Sequence, residues 1–211
     1  MATDRSHVNF SNVNEATKSA LNAVWDKIDG VDTAGVKVGA TTRVLEGGLV
    51  WHKTEIICTA TPITVTDDAG VAQYGGVKLY DFPEGLLFTA GAVIDGALTL
   101  GTTGTIIDAF TGKVALGTAT ATTGATLVST EADILQETAI TTASSKVAVC
   151  DAISIATALT ESGARHLDGT ATAKDLYLNF AIADDVSHTT GTGTFTGTVT
   201  VVWAILGDKA S

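Results

Sequence analysis

The chain has 211 residues, of which 45% are hydrophobic and 17% are charged, so it can bury a sizeable core in one domain with an appendage. Its formal net charge of −11 repels the phosphate backbone of nucleic acids, and it has no apolar run long enough to span a membrane. Because the N-terminal residues include no apolar stretch, we expect a protein made in the cytoplasm without a secretory signal.

Threonine and alanine dominate the composition, whereas proline occurs only twice. Threonine is β-branched and favours pleated backbone, and its hydroxyl group is compatible with a wet surface. The composition therefore indicates strands whose exposed faces carry threonine.

Residues 1–50 are predicted to form an arm that differs from the rest of the chain. Within this arm, residues 14–28 have the spacing of an amphipathic helix with one apolar face. The apolar residues of this face are Leu21, Val24, Trp25 and Ile28. A helix of about four turns that exposed Trp25 would be marginal in water, so we expect it to dock on its own domain, on a neighbouring subunit or on a larger assembly.

The β pattern begins at residue 51 and continues to the C-terminus. Strands are predicted at 55–60 and 63–66, separated near Pro62, which has no N–H to donate and so favours an edge or a bend. A further strand at 77–82 ends at the Pro-Glu-Gly turn that follows it.

Two hairpins are predicted in the middle of the chain. The apolar stretch 86–100 is interrupted by Asp95-Gly96, which predicts two buried strands joined by a tight turn. Thr111-Gly112 predicts a second hairpin, and the low-complexity stretch 117–126 predicts a loop or an exposed edge. Residues 132–143 fit either a helical turn or a short strand, and the periodicity of 146–159 favours strands over a helix.

The last part of the chain has the clearest alternation. In residues 174–182, Leu176, Leu178, Phe180 and Ile182 share one parity, while Tyr177 and Asn179 share the other. A second alternating run, 194–206, follows a polar connection, and its core parity is Phe195, Val199, Val201, Trp203 and Ile205. This period of two predicts a hairpin, or neighbouring strands of one sheet, with one face in the core and the other in or near water.

Together these elements predict an all-β fold, a β-sandwich or jelly roll over residues 51–211, with an N-terminal arm that carries a short amphipathic helix. Strands and turn signals alternate every 8 to 12 residues, and no repeat of fixed period is evident.

The residues with catalytic potential do not form a recognisable motif. The four histidines are scattered, and Asp67-Asp68 and Asp184-Asp185 lack calcium-loop spacing. The glycine pairs are not followed by a helix that would make a phosphate loop. We expect Cys58 and Cys150 to be buried, reduced thiols. No catalytic residue, cofactor or metal is therefore predicted, and the protein is not expected to be an enzyme.

Exposed aromatic residues are the remaining candidates for a binding surface. Tyr177 lies on the polar parity of its strand, so it is predicted to face water or a partner, although a cross-strand pair on a threonine-rich face would also account for it. Trp51 is a further candidate for stacking against a sugar or a base.

Several segments between residues 52 and 208 resemble one family of proteins. The segments are His52–Thr54, Ala60–Thr64, Tyr74–Gly85, Asp168–Phe180 and Trp203–Asp208. In their order they resemble the head decoration (cement) proteins, a family of tailed-phage virion structural proteins. The resemblance implies a β-sandwich or jelly-roll module, often trimeric, that sits on the capsid shell and has no catalytic residues.

The sequence thus predicts a non-enzymatic phage protein, a homotrimer on the capsid surface whose partner is the shell of major capsid protein. Neither nucleic acid nor membrane is an expected partner. Leu21, Val24, Trp25, Ile28 and Tyr177 are the predicted interface residues. The alternative is a carbohydrate-binding or fibre-type β-sandwich module of a phage particle.

Overall fold

A computed structural model describes residues 42–47, 51–68, 72–100, 111–124, 126–144, 147–155, 166–183 and 191–207. The described residues form eleven strands and one turn of 3-10 helix at Ser129–Glu131. The strands are β1 Thr42–Gly47, β2 His52–Asp68, β3 Ala72–Asp81, β4 Gly85–Leu100, β5 Thr111–Gly117, β6 Leu135–Ser144, β7 Val147–Val149, β8 Ala152–Ile155, β9 His166–Gly169, β10 Asp175–Ala183 and β11 Gly191–Gly207. The helix predicted over 14–28 lies outside the described residues.

The strands form one curled sheet in which every described pairing is antiparallel. The strand order is β1-β2-β11-β4-β7-β6-β5-β10-β3, and β8 and β9 also pair with β4. A further pairing joins β3, at one end of this order, to β2, which is next to the other end, so the sheet curls back on itself. The prediction of an all-β fold is confirmed.

Two groups of strands are used below as names for parts of this sheet. The β4 half contains β1, β2, β11, β4, β7, β8 and β9, and the β10 half contains β3, β10, β5 and β6.

The core lies inside the curl and is built from the predicted parity of the last two strands. The buried side chains of these strands include Leu176, Leu178, Phe180, Ile182, Phe195, Val199, Val201 and Trp203. The rings of Phe180 and Phe195 lie 6.2 Å apart, although their strands do not pair. This contact therefore crosses the interior and joins the two halves.

Trp203 organises the aromatic part of the core. Its indole ring stacks on His52 at 4.2 Å and meets Phe82 edge to face at 5.5 Å. Its Nε1–H donates a hydrogen bond to the buried Thr54 hydroxyl at 2.8 Å, which satisfies the one polar atom that burial would otherwise penalise. Tyr80 extends the cluster through an edge contact with Phe82.

The predicted hairpin of the last two strands is wrong. β10 lies between β3 and β5, whereas β11 lies between β2 and β4. The alternation defined which side chains enter the core, but it carries no information about which strand lies beside which. The parity also fails at Ile205, which is exposed because register shifts interrupt the end of β11.

The two mid-chain hairpins are also wrong. Asp95-Gly96 lies within the continuous strand β4, opposite Thr198 and Gly197 of β11, and Thr111-Gly112 lies within β5. At Gly96 the glycine serves close packing, since a Cβ there would lie 2.6 Å from the Thr196 carbonyl oxygen and 2.7 Å from the Phe195 ring. A strand glycine that allows close backbone approach has the same local sequence as a turn glycine.

Other local predictions are confirmed or refined. The described residues between β5 and the 3-10 turn form a loop, and the ambiguous segment 132–143, which follows the turn, lies mostly in strand β6. The preference for strands over 146–159 is confirmed by β7 and β8. Pro62 does not divide β2 into two strands. It has a described strand partner on one side only, Thr194 of β11, because on the other side of β2 the pairing with β1 ends before Pro62 and the pairing with β3 begins after it.

Substitution of Gly96 tests this packing. We expect Gly96→Ala to lower the free energy of unfolding by about 1–3 kcal/mol, because the added methyl group overlaps backbone and ring atoms. Gly193→Ala in the same sheet is the control, since its methyl group meets its nearest neighbour at 3.2 Å. Urea titration measures both variants, and an equal effect of the two would contradict the close approach at Gly96.

Candidate interaction surface

The outward side of the β10 half is covered by the loop between β5 and β6. Between the loop and the strands lies a second, small apolar cluster, separate from the main core. Its buried members are Ala115, Ala121, Leu127 and Ala181, with Tyr74 and Ala132 packed against them. A loop that is low in sequence complexity is thus an integral layer of the fold.

Asn179 of β10 holds this loop in place. Its side-chain oxygen accepts a hydrogen bond from the Ala121 N–H at 2.9 Å. Its side-chain nitrogen donates to the carbonyl oxygens of Ala119 and Glu131, each at 2.8 Å. The residue is 0% exposed, so the prediction that its face lies in or near water is wrong at this position. The amide replaces water for three backbone groups of the loop.

Two carboxylates in the loop also accept hydrogen bonds from backbone groups of the loop. Glu131 accepts hydrogen bonds from the N–H and hydroxyl of Thr122 and, more weakly, from the Val128 N–H at 3.3 Å. Asp133 accepts from the N–H and hydroxyl of Thr118 at 2.8 and 2.7 Å, and burial raises the pKa of its carboxyl group. Both side chains therefore stabilise the loop.

Two further carboxylates fasten the loop from neighbouring strands. Asp68, the second residue of Asp67-Asp68, accepts a hydrogen bond from the Gly124 N–H at 2.7 Å. Glu137 accepts the Leu127 N–H at 3.0 Å and forms an ion pair with Lys113. In the part of the chain that the structure describes, every buried side-chain nitrogen and oxygen has a hydrogen-bond partner.

The thiols are not placed for nucleophilic chemistry. Cys58 and Cys150 are free and buried, which confirms that prediction. Burial raises the pKa of Cys150 to about 12, so it remains a thiol at neutral pH. Among the described residues, no group of three His, Cys, Asp or Glu side chains is placed to hold a metal ion.

Tyr177, the one predicted interface residue within the described ranges, belongs to a polar cluster on the β10 half. Its hydroxyl donates to Asp175 at 3.3 Å, and Lys78 forms ion pairs with Asp175 and Asp81. Partial burial and the neighbouring Asp175 carboxylate raise the pKa of Tyr177. The ring is half-buried and is not an open stacking platform. Leu21, Val24, Trp25 and Ile28 lie outside the described residues.

The β4 half presents a different outer surface, which we call the outer face: the outward side chains of β4, β11, β7 and β8. Val93 lies opposite Ile153 on β8 and opposite Thr200 on β11. Ala97 lies opposite Val149 on β7. Ile153 is 69% exposed, and Val93 and Val149 are exposed as well. The outer face therefore has an apolar stripe bordered by threonines of β11.

An acidic pair interrupts this stripe. The registers of β7 and β8 against β4 are continuous, and the Cys150 N–H donates to the Gly96 carbonyl at 2.8 Å, so Asp95 lies opposite Asp151. Both side chains are exposed, and within the described residues neither forms an ion pair or hydrogen bond. Like charges directly opposite on neighbouring strands are destabilising.

Trp51 lies at one end of the outer face. Its ring meets Phe88 edge to face at 5.8 Å, and Phe88 in turn lies opposite Ala204 of β11. Trp51 is 50% exposed, and Ile205 and Leu206, at the end of β11, are also exposed. The sequence identifies Trp51 as a candidate, but it does not reveal the apolar stripe, because the apolar stretch 86–100 predicts two strands that are buried on both faces.

Removal of the Asn179 amide tests the structural role of the loop layer. We expect Asn179→Ala to lower the free energy of unfolding by about 2–4 kcal/mol, because three backbone groups lose their partner. Tyr177→Phe, on the same strand, removes one partly exposed hydrogen bond and should cost less than about 0.5 kcal/mol. Urea unfolding compares the two variants, and equal values would contradict the role given to Asn179.

Comparison with protein-family models, curated proteins and solved structures finds no match for this chain. None of the described residues forms a helix with the length and apolar character needed to cross a bilayer. Glu131 and Asp133 are occupied by the loop and the two thiols are buried, whereas most of the exposed large apolar side chains lie on the β4 half, with Val128 of the loop as the exception. The outer face is therefore the candidate functional site, and its chemistry is that of a contact surface for another polypeptide segment.

Proposed function

We propose that this protein is a non-enzymatic structural component of a tailed-phage particle that decorates and stabilises the capsid shell. In this proposal the curled sheet is a sandwich or jelly-roll module, carried as a homotrimer on the capsid surface with a helical N-terminal arm. The observation that carries the proposal is the division of the surface: polar groups fasten a loop on one half, and most of the exposed large apolar side chains lie on the other.

The location of the family resemblance supports the proposal. Its two densest segments are Tyr74–Gly85 and Asp168–Phe180, which are far apart in the sequence. They contain most of β3 and the first part of β10, which are paired strands. Segments that resemble one family and also lie side by side are consistent with a shared structural unit.

The physical requirements of a cement protein also fit this chain. A protein that binds only the assembled shell stabilises it by mass action, without any chemical step. The exposed apolar residues of the outer face, with Trp51 at one end, resemble the aromatic and aliphatic anchors of protein interfaces. The saturated carboxylates Glu131 and Asp133 and the buried thiols give little support to a hydrolase.

Binding to undecorated phage heads tests the proposal. We expect the protein to have the mass of a trimer in light scattering, to sediment with the heads, and to raise the temperature at which they release DNA. Leu206→Asp should weaken sedimentation because it places a charge among exposed apolar groups, whereas Thr123→Asp on the loop of the other half should not. Removal of residues 1–30 should also weaken binding or assembly.

A monomer that does not bind heads would contradict the proposed function. If removal of residues 1–30 leaves both trimer and head binding unchanged, the role of the arm in these contacts is wrong. Equal binding by the Leu206 and Thr123 variants would show that the end of the outer face is not a contact surface.

A carbohydrate-binding or fibre-type module is the second candidate, and the half-exposed Trp51 favours it. An indole ring held by an edge contact with Phe88 leaves surface for a sugar ring to stack on. On this reading a glycan array gives a reproducible ligand, and Trp51→Ala removes its binding. Tyr177→Ala also lowers binding if both rings contribute, and an array without any ligand would contradict this candidate.

A further inference from the structure

The Asp95–Asp151 pair is an unusual feature for an exposed strand face. Its two carboxylates lie opposite each other, with apolar side chains on both sides along the stripe: Val93 and Ile153 on one side and Val149 on the other. No described cation faces them. A segment that covers the stripe must therefore supply both an apolar side and a positive charge.

We propose that residues 14–28 of the same polypeptide dock on the outer face, with the Lys18 ammonium group over the Asp95–Asp151 pair. The sequence predicts an amphipathic helix for this segment, and Leu21, Trp25 and Ile28 supply its apolar stripe. Lys18 precedes Leu21 by three residues and Trp25 by seven, so it borders the same stripe.

The acidic residues of the segment lie farther from its apolar stripe than Lys18 does. Asp26 is turned away from the stripe by the 3.6-residue period, and Glu15, which precedes Lys18 by three residues, lies on the side of Lys18 away from the stripe. Lys18 is therefore the charged side chain of this side of the helix that comes nearest to the pair. Charge and apolar pattern on the segment thus both complement the outer face.

The segment can also reach the outer face from its own β1. Residues 29–41 span up to roughly 43 Å when extended. The strand order places β8 four strands from β1, which corresponds to roughly 19 Å across the sheet. No exchange of arms between copies is needed.

The same face of a second copy is a poorer occupant. Two outer faces packed on each other would cover two acidic pairs, four carboxylates, and neither face supplies a described cation. Such a contact would have to overcome like-charge repulsion in a partly desolvated interface. The inference concerns the free protein in solution and does not depend on the proposed capsid role.

Crosslinking of the full-length protein tests the inference. A cysteine introduced by Asn22→Cys is combined either with Thr198→Cys, beside Asp95 on the outer face, or with Thr123→Cys on the loop of the β10 half. The native Cys58 and Cys150 are buried, and the unsubstituted protein controls for their reaction with a short bismaleimide. We expect the intramolecular yield with Thr198→Cys to exceed that with Thr123→Cys by about tenfold, because docking raises the effective concentration.

A charge reversal identifies the contact. Lys18→Glu should reduce the Thr198→Cys yield to the level of the Thr123→Cys control, and addition of Asp151→Lys should restore it. Equal yields at the two positions, crosslinked dimers instead of monomers, or no restoration by Asp151→Lys would overturn the inference.

Trypsin digestion of the unsubstituted protein gives a second readout that needs no variant. Cleavage after Lys18 should be slow at low salt and should accelerate at high salt, because salt screens the contact with the acidic pair. Fast cleavage after Lys18 at all salt concentrations would overturn the inference as well.

Discussion

The hydrogen bonds of the Asn179 amide are the constraint on which the two-sided character of this protein depends. This one buried side chain forms hydrogen bonds with three backbone groups of the loop. The loop that it holds covers the outward side of the β10 half, which is thereby buried. Unsatisfied buried groups of this kind cost about 1–3 kcal/mol each, so the layer is stable only while the amide is present. Gly117 and Gly76 take part as well, since a Cβ at Gly117 would overlap the Glu131 backbone and one at Gly76 would meet the Asn179 and Thr120 side chains.

This closure explains why the exposed apolar residues are concentrated on the other half. The loop supplies Leu127 and Ala121 to cover Ala115 and Ala181, so this part of the β10 half is covered by the chain itself. The outer face, on the β4 half, is not covered by a loop among the described residues, and Ile153 and Val93 remain in contact with water. Full burial of an aliphatic side chain contributes about 1.5–3 kcal/mol, which gives any segment that covers this face a substantial driving force.

The sequence predicted the class of fold and the inward side chains well, but not the partners of the strands. Alternation placed Leu176, Phe180 and Trp203 in the core correctly, because the period of a strand is a local property. The pairing of β10 with β3 and β5 depends on contacts between distant segments, which a single sequence does not reveal. The buried Asn179 was missed for the same reason: a polar residue on the outward parity is exposed unless a distant loop happens to cover it. Asp95-Gly96 misled because a glycine that permits close strand packing has the sequence of a tight turn.

The outer face has two parts, the acidic pair and the end with Trp51, and different forces would hold a partner at each of them. A like-charge pair directly opposite on two strands is destabilising, so Asp95 and Asp151 reduce the stability of the isolated sheet slightly. A cation over the pair relieves that repulsion, and the gain decreases as salt screens it. The end with Trp51 and Leu206 offers mainly apolar surface, whose burial depends little on ionic strength. A contact centred on the acidic pair and a contact centred on Trp51 therefore differ in salt dependence, even though the same strands carry both.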